Sequence, residues 1–306
     1  MAERTAIAWC DSTFNPWIGC TQVSPGCEGC YAERLMDHRL HRAKWGPGQP
    51  RQRTSASNWR QPLLWNREHE AFMLAHGRRR RVFCASLADV FDNEVPVQWR
   101  ADLLQLIDLT PNLDWLLLTK RIGNVEPMLK DIRRAAGGTF AYDLWPRPNI
   151  WLGITVVNQA EADRDIPKLL AVPARVRFLS IEPMLGPVDL LPLLEHRAEQ
   201  HSDTGVHWVI CGGESGPGAR PMHPDWARSL RDQCKAAGVP FLFKQWGEHA
   251  PTTRTMAEVA ASKQKHVVVP FSEKWAYPAG IVDRVGKKAA GRLLDGVQHD
   301  GFPEVA

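Results

Sequence analysis

Short apolar runs alternate with helical patterns along most of this chain, and this alternation limits the folds open to it. Runs rich in β-branched, aromatic or leucine residues predict seven strands, at residues 6–9, 82–86, 115–119, 150–155, 176–180, 207–211 and 240–244. Apolar residues at helical spacing predict four helices between them, at residues 97–109, 123–136, 159–170 and 225–236. Strands that alternate with helices form βα units around a parallel sheet. The sequence therefore predicts an α/β fold, built as a full or partial (β/α) TIM-like barrel.

The composition is that of a soluble globular chain, with 44% hydrophobic and 24% charged residues in 306. No apolar run approaches the length of a transmembrane helix, and the N-terminus has no signal-peptide pattern. We therefore expect a cytoplasmic protein without a membrane partner. The seven cysteines are an odd number, which argues against a disulfide framework. The net charge of +4 allows nucleic-acid binding but does not establish it.

Polar or ionisable residues, or glycines, end or follow every one of the predicted strands. In strand order they are Cys20, Cys27 and Cys30; Ser86 and Asp89; Thr119, Lys120 and Arg121; Thr155; Ser180 and Glu182; Gly212, Gly213 and Glu214; and Lys244 and Gln245. In (β/α) barrels the functional residues lie on the loops that follow the strands. The sequence therefore predicts a single active-site mouth at that end of the sheet.

Cys20, Cys27 and Cys30 form a Cys-x6-Cys-x2-Cys pattern in a loop that Gly and Pro keep irregular. The residues from Tyr31 onward have the pattern of a helix. Three clustered thiolates suit a metal centre better than a disulfide, which would leave one thiol unpaired. A cubane iron–sulfur cluster has four irons and usually takes four cysteines. Three cysteines would leave one iron open to a small molecule, as a reaction centre requires.

This pattern resembles that of the radical S-adenosylmethionine (SAM) superfamily, in which three cysteines hold a four-iron cluster and SAM binds the fourth iron. The longer first gap makes it a variant of the superfamily's commonest spacing, Cys-x3-Cys-x2-Cys. More closely, the chain resembles a three-cysteine family carried by phages and prophages, known as phage proteins of unknown function. The shared stretches cover most of the chain, at residues 14–17, 118–121, 151–155, 182–187, 212–216 and 243–247.

The resemblance implies two cofactors: a 4Fe-4S cluster on Cys20, Cys27 and Cys30, and SAM, together with an external electron donor. In that superfamily, reductive cleavage of SAM gives a 5′-deoxyadenosyl radical, which abstracts hydrogen from an unactivated carbon. The amino, carboxylate, ribose and adenine groups of SAM need hydrogen-bond partners and close backbone approach. The candidate SAM-binding residues are Asp89, Lys120, Thr155, Gly212, Gly213 and Glu214.

The loops after the later strands and the nearby Arg220 and His223 supply the candidates for substrate contact. The candidate catalytic residues are Glu182, Lys244 and His223. Glu182 and Glu214 have an alternative role as ion-pair partners of Lys120, Arg121 or Lys244, and His223 has an alternative role in structure. The superfamily's Gly-Gly-Glu segment follows the second strand, whereas Gly212-Gly213-Glu214 follows the sixth. In the superfamily that segment contacts the SAM amino group. Because the position differs here, this role is not assigned to Glu214.

Residues 39–60 mix basic and aromatic side chains without apolar periodicity, which predicts a long loop. Such mixtures bind phosphates and stacked bases. With the phage-type resemblance, this predicts a nucleic acid or nucleotide as substrate. The specific hypothesis is an isomerase, mutase or lyase reaction on a hypermodified thymine in phage DNA, inside the host cell. The basic run at residues 78–81 is expected to be a solvated face, with phosphate contact as the alternative.

Two other kinds of protein fit the same cysteine spacing. One is a zinc-stabilised, nucleic-acid-binding phage accessory protein without catalysis, with Cys10, His38 or His41 as the fourth ligand. The other is a cluster protein that serves only electron transfer.

The alternation of strands and helices ends after the last predicted strand. We therefore expect residues 1–246 to form the barrel with its N-terminal cluster loop. Residues 247–306 are expected to form an irregular C-terminal extension that packs on the barrel.

Overall fold

A computed structural model describes residues 4–135, 145–194, 205–252, 254, 256–261, 266–269 and 280–304 of the chain. The chain forms two compact units. Unit 1 comprises Met1–Ser24, Cys30–Ile154 and Asp165–Phe178, and unit 2 comprises Pro25–Gly29, Thr155–Arg164 and Leu179–Ala306.

Seven of the strands in the described part of the chain form a parallel sheet. In chain order the strands are β1 (Ser12–Phe14), β2 (Trp17–Ile18), β3 (Gln52–Arg53), β4 (Arg80–Cys84), β5 (Leu113–Thr119), β6 (Ile150–Thr155), β7 (Val176–Ile181), β8 (Trp208–Gly212), β9 (Phe241–Gln245), β10 (His249–Pro251), β11 (His266–Val269) and β12 (Gly280–Arg284). The sheet has the order β1–β4–β5–β6–β7–β8–β9. In its register, Val82 lies opposite Trp115, which lies opposite Ile150. The fold is therefore mixed α/β, with the sheet of a partial (β/α) barrel.

Four of the helices in the described residues lie where apolar periodicity predicts them. In chain order they are α1 (Tyr31–Glu33), α2 (Ala56–Arg67), α3 (His69–His76), α4 (Val97–Asp108), α5 (Val125–Ala135), α6 (Gln159–Ala171), α7 (Pro224–Ala236), α8 (Met256–Ala261) and α9 (Lys287–Ala290). The four predicted helices are confirmed as α4 to α7, although residue 136, predicted to end α5, lies outside the described residues. A π-helix, Arg34–Arg39, continues α1, so the helix predicted from Tyr31 onward is also confirmed.

Six of the seven predicted strands are confirmed, with ends shifted by two residues or fewer. Every residue of β6 and β7 is buried. Strands covered on both faces carry continuous apolar runs rather than an alternating pattern. This is why the sequence signal for these strands was clear.

The first predicted strand, at residues 6–9, is wrong, because the strand forms at Ser12–Phe14 instead. The prediction relied on the apolar Trp9, which is a core residue outside any strand. Its ring centroid lies 4.5 Å from that of Phe83. Ser12 and Thr13 are buried although they are polar. A strand with two buried hydroxyl residues lacks the apolar run on which the prediction relied.

The long loop predicted at residues 39–60 ends earlier, because α2 begins at Ala56. The hydroxyl of Ser55 caps this helix by accepting a hydrogen bond from the backbone N–H of Asn58 at 3.4 Å. Pro62 lies inside α2. Proline in a helix interior is unfavourable, so it concealed the helix in the sequence.

The basic run at residues 78–81 does not form a solvated face. Arg78 donates to the carboxylate of Asp11 at 2.6 and 2.8 Å. The guanidinium of Arg80 lies 4.5 Å from the ring centroid of Phe72, and Arg81 is buried. The prediction was wrong for these three cations because an acidic partner and aromatic rings that are distant in sequence cover them, whereas the Arg79 side chain is 40% exposed.

In unit 2, the chain after β9 forms a small antiparallel sheet in the order β10–β12–β11. The C-terminal segment then runs beside β9, where Leu242 and Asp300 form an antiparallel bridge. Of the predicted C-terminal extension, residues 253, 255, 262–265, 270–279, 305 and 306 lie outside the described residues. The domain boundary after residue 246 stays a prediction. None of the helices in the described residues has the length and apolar character needed to span a membrane.

Gly153 is needed for packing in unit 1, because a Cβ atom there would lie 2.3 Å from Cζ of Phe178. Forcing extra atoms into a core costs about 1–3 kcal/mol. We expect Gly153→Ala to lower the free energy of unfolding by that amount in urea denaturation. Gly123→Ala is the control, since its new Cβ would meet nothing within 4 Å. Equal stability of the two variants would contradict this packing.

Candidate functional site

In unit 1, Asp89 follows β4 and holds the end of β5. Its Oδ1 accepts from the Thr119 hydroxyl at 2.8 Å and from the Phe91 N–H at 2.9 Å. Its Oδ2 accepts from the Lys120 N–H and from Nη1 of Arg121, both at 3.1 Å. The residue is buried. Both carboxylate oxygens of this predicted SAM ligand are therefore already bound to protein donors.

Arg121 connects Asp89 to the first cysteine. Its Nη1 lies 3.4 Å from Sγ of Cys20, and its Nη2 donates to the Thr21 carbonyl at 2.7 Å. Burial raises the pKa of Cys20 to about 12, Asp89 adds to this, and Arg121 opposes it. Burial alone would lower the pKa of Arg121, but Asp89 and Cys20 hold it above its ordinary value. Arg121 is therefore a fixed cation beside the Cys20 sulfur.

None of the three cysteines of the loop is in a disulfide, and all three are of intermediate exposure. A 3-10 turn, Pro25–Cys27, precedes Cys30, which is the last residue before α1. No group of three or more His, Cys, Asp or Glu side chains in the described ranges is arranged to hold a metal ion. The convergence of the three thiolates therefore stays a prediction. The donor set itself fits an iron–sulfur cluster, because thiolates are its usual ligands.

None of the proposed fourth zinc ligands is arranged with the cysteines in a metal site. Cys10 is buried, whereas His38 and His41 are exposed. A closed structural zinc site takes four protein ligands. The described residues do not supply such a set.

In unit 2, Glu182 and Lys244 form an ion pair at the ends of β7 and β9. Nζ of Lys244 lies 2.7 Å from Oε1 and 2.8 Å from Oε2 of Glu182. Nε2 of Gln245 also donates to Oε1, at 3.3 Å, and to the Gly213 carbonyl. The pairing of Glu182 with Lys244, one of the alternatives from the sequence, is thus confirmed. Their catalytic role stays a prediction.

Glu214 pairs with Arg220 rather than with the basic residues considered from the sequence. Its Oε2 accepts from Nε of Arg220 at 2.8 Å, and its Oε1 accepts from Nη2 at 2.7 Å. Gly213 beside it is required by packing, since a Cβ there would lie 2.0 Å from the Trp246 carbonyl oxygen. Arg220 is therefore bound to protein groups, and its expected role in facing the substrate stays a prediction.

The remaining predicted residues have simpler surroundings. Thr155 is buried at the end of β6. A Cβ at Gly212 would lie 3.4 Å from the Glu182 carboxyl group, so this glycine adjoins the ion pair. His223 is 1% exposed, and its Nδ1 accepts from the Asp225 N–H at 3.1 Å, which caps α7. These are the contacts of a helix cap, as the structural alternative held, and catalysis by His223 stays a prediction.

Sequence reasoning missed the pairing of Arg51 with Asp92. Nη2 of Arg51 lies 2.7 Å from the Asp92 carboxylate, and the Arg51 side chain is fully buried. Arg51 also donates to the Thr21 hydroxyl at 2.7 Å, which ties it to the cysteine loop. In the sequence, Arg51 was one of many cations in a polar stretch. Arg51 could have been identified only by a sequence signal that paired it with Asp92, one of the acidic residues after β4.

Asp89→Asn tests whether this carboxylate supports the protein structure or is available to bind SAM. If Asp89 holds Arg121 and the end of β5, the variant breaks a buried ion pair. Its free energy of unfolding, measured in the absence of SAM, should then fall by about 3 kcal/mol. Asp131→Asn is the control, since its pair with Arg134 is exposed and should contribute less than about 1 kcal/mol. Urea denaturation measures both. Wild-type stability of Asp89→Asn would show that the carboxylate is free for a ligand.

Two solved structures are similar to the chain, and both are of spore photoproduct lyase. A mutant of that enzyme with bound AdoMet and dinucleoside spore photoproduct is 10% identical, with a TM-score of 0.40, over 92% of this chain and 73% of the other. The enzyme complexed with dinucleoside spore photoproduct is 10% identical, with a TM-score of 0.38, over 88% and 66%. Likeness at this level carries no argument about activity. A search of curated proteins gives no match.

The model of one protein family matches residues 4–303, which is nearly the whole chain. The match includes the cysteine loop, the parallel sheet and the ion pairs of both units. Its description is a protein of unknown function, DUF5131. The chain therefore belongs to the DUF5131 family.

Proposed function

We propose that this protein is a radical SAM enzyme that holds a 4Fe-4S cluster on Cys20, Cys27 and Cys30. The observation that carries the proposal is the donor set: three cysteines on one short loop, none of them in a disulfide. Three thiolates fill three coordination positions of a cubane and leave one iron for SAM.

A bound cluster and SAM, with one electron from an external donor, would supply a 5′-deoxyadenosyl radical by cleavage of the C5′–S bond of SAM, with methionine as the other product. This radical would take a hydrogen atom from the substrate. The chain's own residues must bind and orient the reactants and exclude water. Arg121 contributes a fixed positive charge at Cys20, which stabilises negative charge on the sulfur.

The contacts of the predicted SAM ligands divide them into two groups. Asp89 and Glu214 have their carboxylates bound to arginines, and Gly213 is packed against the backbone. We propose that Lys120, Thr155 and Gly212 contact SAM. For Asp89 and Glu214 we propose positioning roles instead.

We propose that Glu182 and Lys244 act on the substrate. Their pair offers a hydrogen-bond acceptor and a donor, and the side chains are 17% and 20% exposed, so a ligand can reach them. Polar groups on a nucleobase can bind to both. During a rearrangement, Nζ of Lys244 can donate a proton and the Glu182 carboxylate can accept one. Gln245 fixes the carboxylate from its other side.

The proposed substrate is a nucleic-acid base, specifically a modified thymine of phage DNA or a free nucleotide that carries it. The reaction would be of the isomerase, mutase or lyase type. The surface after the cysteine loop supports this, because Tyr31 is 67% exposed and Arg39 and Arg42 are exposed too. Exposed aromatic and cationic side chains are the kinds of group that bind stacked bases and phosphates. A base in a duplex would have to be flipped out.

EPR spectroscopy tests the proposed cofactors. After anaerobic reconstitution with iron and sulfide and reduction with dithionite, we expect a four-iron signal that shifts when SAM is added. Cys27→Ala should lose this signal. Cys10→Ala is the matched control and should keep it, because Cys10 is outside the three-cysteine loop. Stoichiometric zinc without a SAM-sensitive signal, or loss of metal in Cys10→Ala, would overturn the proposal in favour of a zinc site.

Binding of a single-stranded oligothymidylate tests the proposed substrate class. Each phosphate contact contributes roughly 0.7 to the slope of log affinity against log salt for single strands. We expect Arg39→Ala and Arg42→Ala each to weaken binding and lower that slope by about this amount, as measured by fluorescence anisotropy. Arg134→Ala on α5 is the control for loss of an exposed cation. An equal effect of all three variants would contradict a specific surface.

A further inference from the structure

We propose that Arg220, held by Glu214, is a positioning residue that fixes the segment Pro25–Gly29 and thereby orients the Cys27 thiol for metal binding. The inference rests on the proposed function in that Cys27 is taken as a cluster ligand. It gives Glu214 and Arg220 a role that neither the cysteine pattern nor the family match assigns. All of these residues belong to unit 2.

Arg220 contacts the segment on both sides of Cys27. Its Nη2 donates to the carbonyl oxygen of Pro25 at 2.9 Å, two residues before the cysteine. Its Nη1 lies 2.9 Å from Oε2 of Glu28, the residue directly after it. The Glu28 N–H also donates to the Pro25 carbonyl, at 3.3 Å, which closes the turn. One guanidinium thus fixes both ends of the turn that carries Cys27.

Glu214 holds the guanidinium in that orientation. Besides its two contacts with the side chain, Oε2 of Glu214 accepts from the backbone N–H of Arg220 at 2.8 Å. The Glu214 side chain is 7% exposed. A buried carboxylate with a bidentate guanidinium partner fixes direction as well as charge. Lysine could not reproduce this arrangement, because its ammonium lacks the planar fork.

The segment also contacts Glu214 directly, at a glycine. A Cβ atom at Gly29 would lie 2.5 Å from Oε1 of Glu214. Glycine is therefore required where the segment passes the carboxylate. A side chain there would displace Glu214 and so release Arg220 without changing either residue.

Together these contacts explain the Gly-Gly-Glu segment at the end of β8 as a support for the turn that carries Cys27. Its glutamate is bound to Arg220, and Arg220 is bound to the residues around Cys27. A SAM amino group would have to compete with the guanidinium for the same oxygens. The positioning role follows because each oxygen of Glu214 already has a donor.

The experiment measures alkylation of Cys27 by iodoacetamide in the metal-free protein, resolved by peptide mass spectrometry. Arg220→Lys and Gly29→Ala should each raise the rate at Cys27 about tenfold, the factor expected for loss of one charge-assisted hydrogen bond. The rates at the buried Cys84, Cys211 and Cys234 should not change. Arg228→Lys is the matched control, since Arg228 pairs with Asp225 and Asp295 instead.

A second readout separates this inference from the proposed function. In reconstituted protein, Arg220→Lys should release iron to a chelator faster than Arg228→Lys does. Faster alkylation of Cys27 in a protein that never binds a cluster would overturn the proposed function but support the fixed segment. Unchanged alkylation in both variants, or an equal rise at every cysteine, would overturn the positioning role.

Discussion

The arrangement around Cys20 depends on the carboxylate of Asp89. It binds two backbone N–H groups, the Thr119 hydroxyl and the Arg121 guanidinium, so it joins the loop after β4 to the end of β5. Arg121 is thereby directed at the Cys20 sulfur. Burial makes the free thiolate costly, and the guanidinium offsets part of that cost. A cluster that takes the sulfur as thiolate would gain from the same cation.

Unit 2 uses the same kind of contact for the turn around Cys27. Glu214 orients Arg220, and Arg220 binds the groups on either side of that cysteine. In both units a buried carboxylate therefore acts on a cysteine through an arginine. Asp89 and Glu214 therefore follow strands as strong hydrogen-bond acceptors, but their oxygens are already bound to protein donors. The pair of Glu182 and Lys244 is different, because both side chains are partly exposed.

Much of the fold could be predicted from the sequence, since strands such as β6 are buried on both faces and carry long apolar runs. β1 could not be predicted because two of its three residues, Ser12 and Thr13, are polar although buried, so the strand has no apolar run. The cysteine loop and the pair of Glu182 with Lys244 were visible as residues after predicted strands. The partnership of Glu214 with Arg220 was not, because it depends on how an irregular loop folds back. Periodicity carries no information about such loops.

The central claim is that three cysteines bind a four-iron cluster and leave one iron without a protein thiolate. Mössbauer spectroscopy of protein reconstituted with the Mössbauer-active iron isotope tests it most directly, because each iron reports its own ligands. We predict that adding SAM changes the isomer shift of one iron and leaves the other three unchanged. Four irons that do not respond to SAM, or a protein that binds zinc and assembles no cluster, would contradict the account.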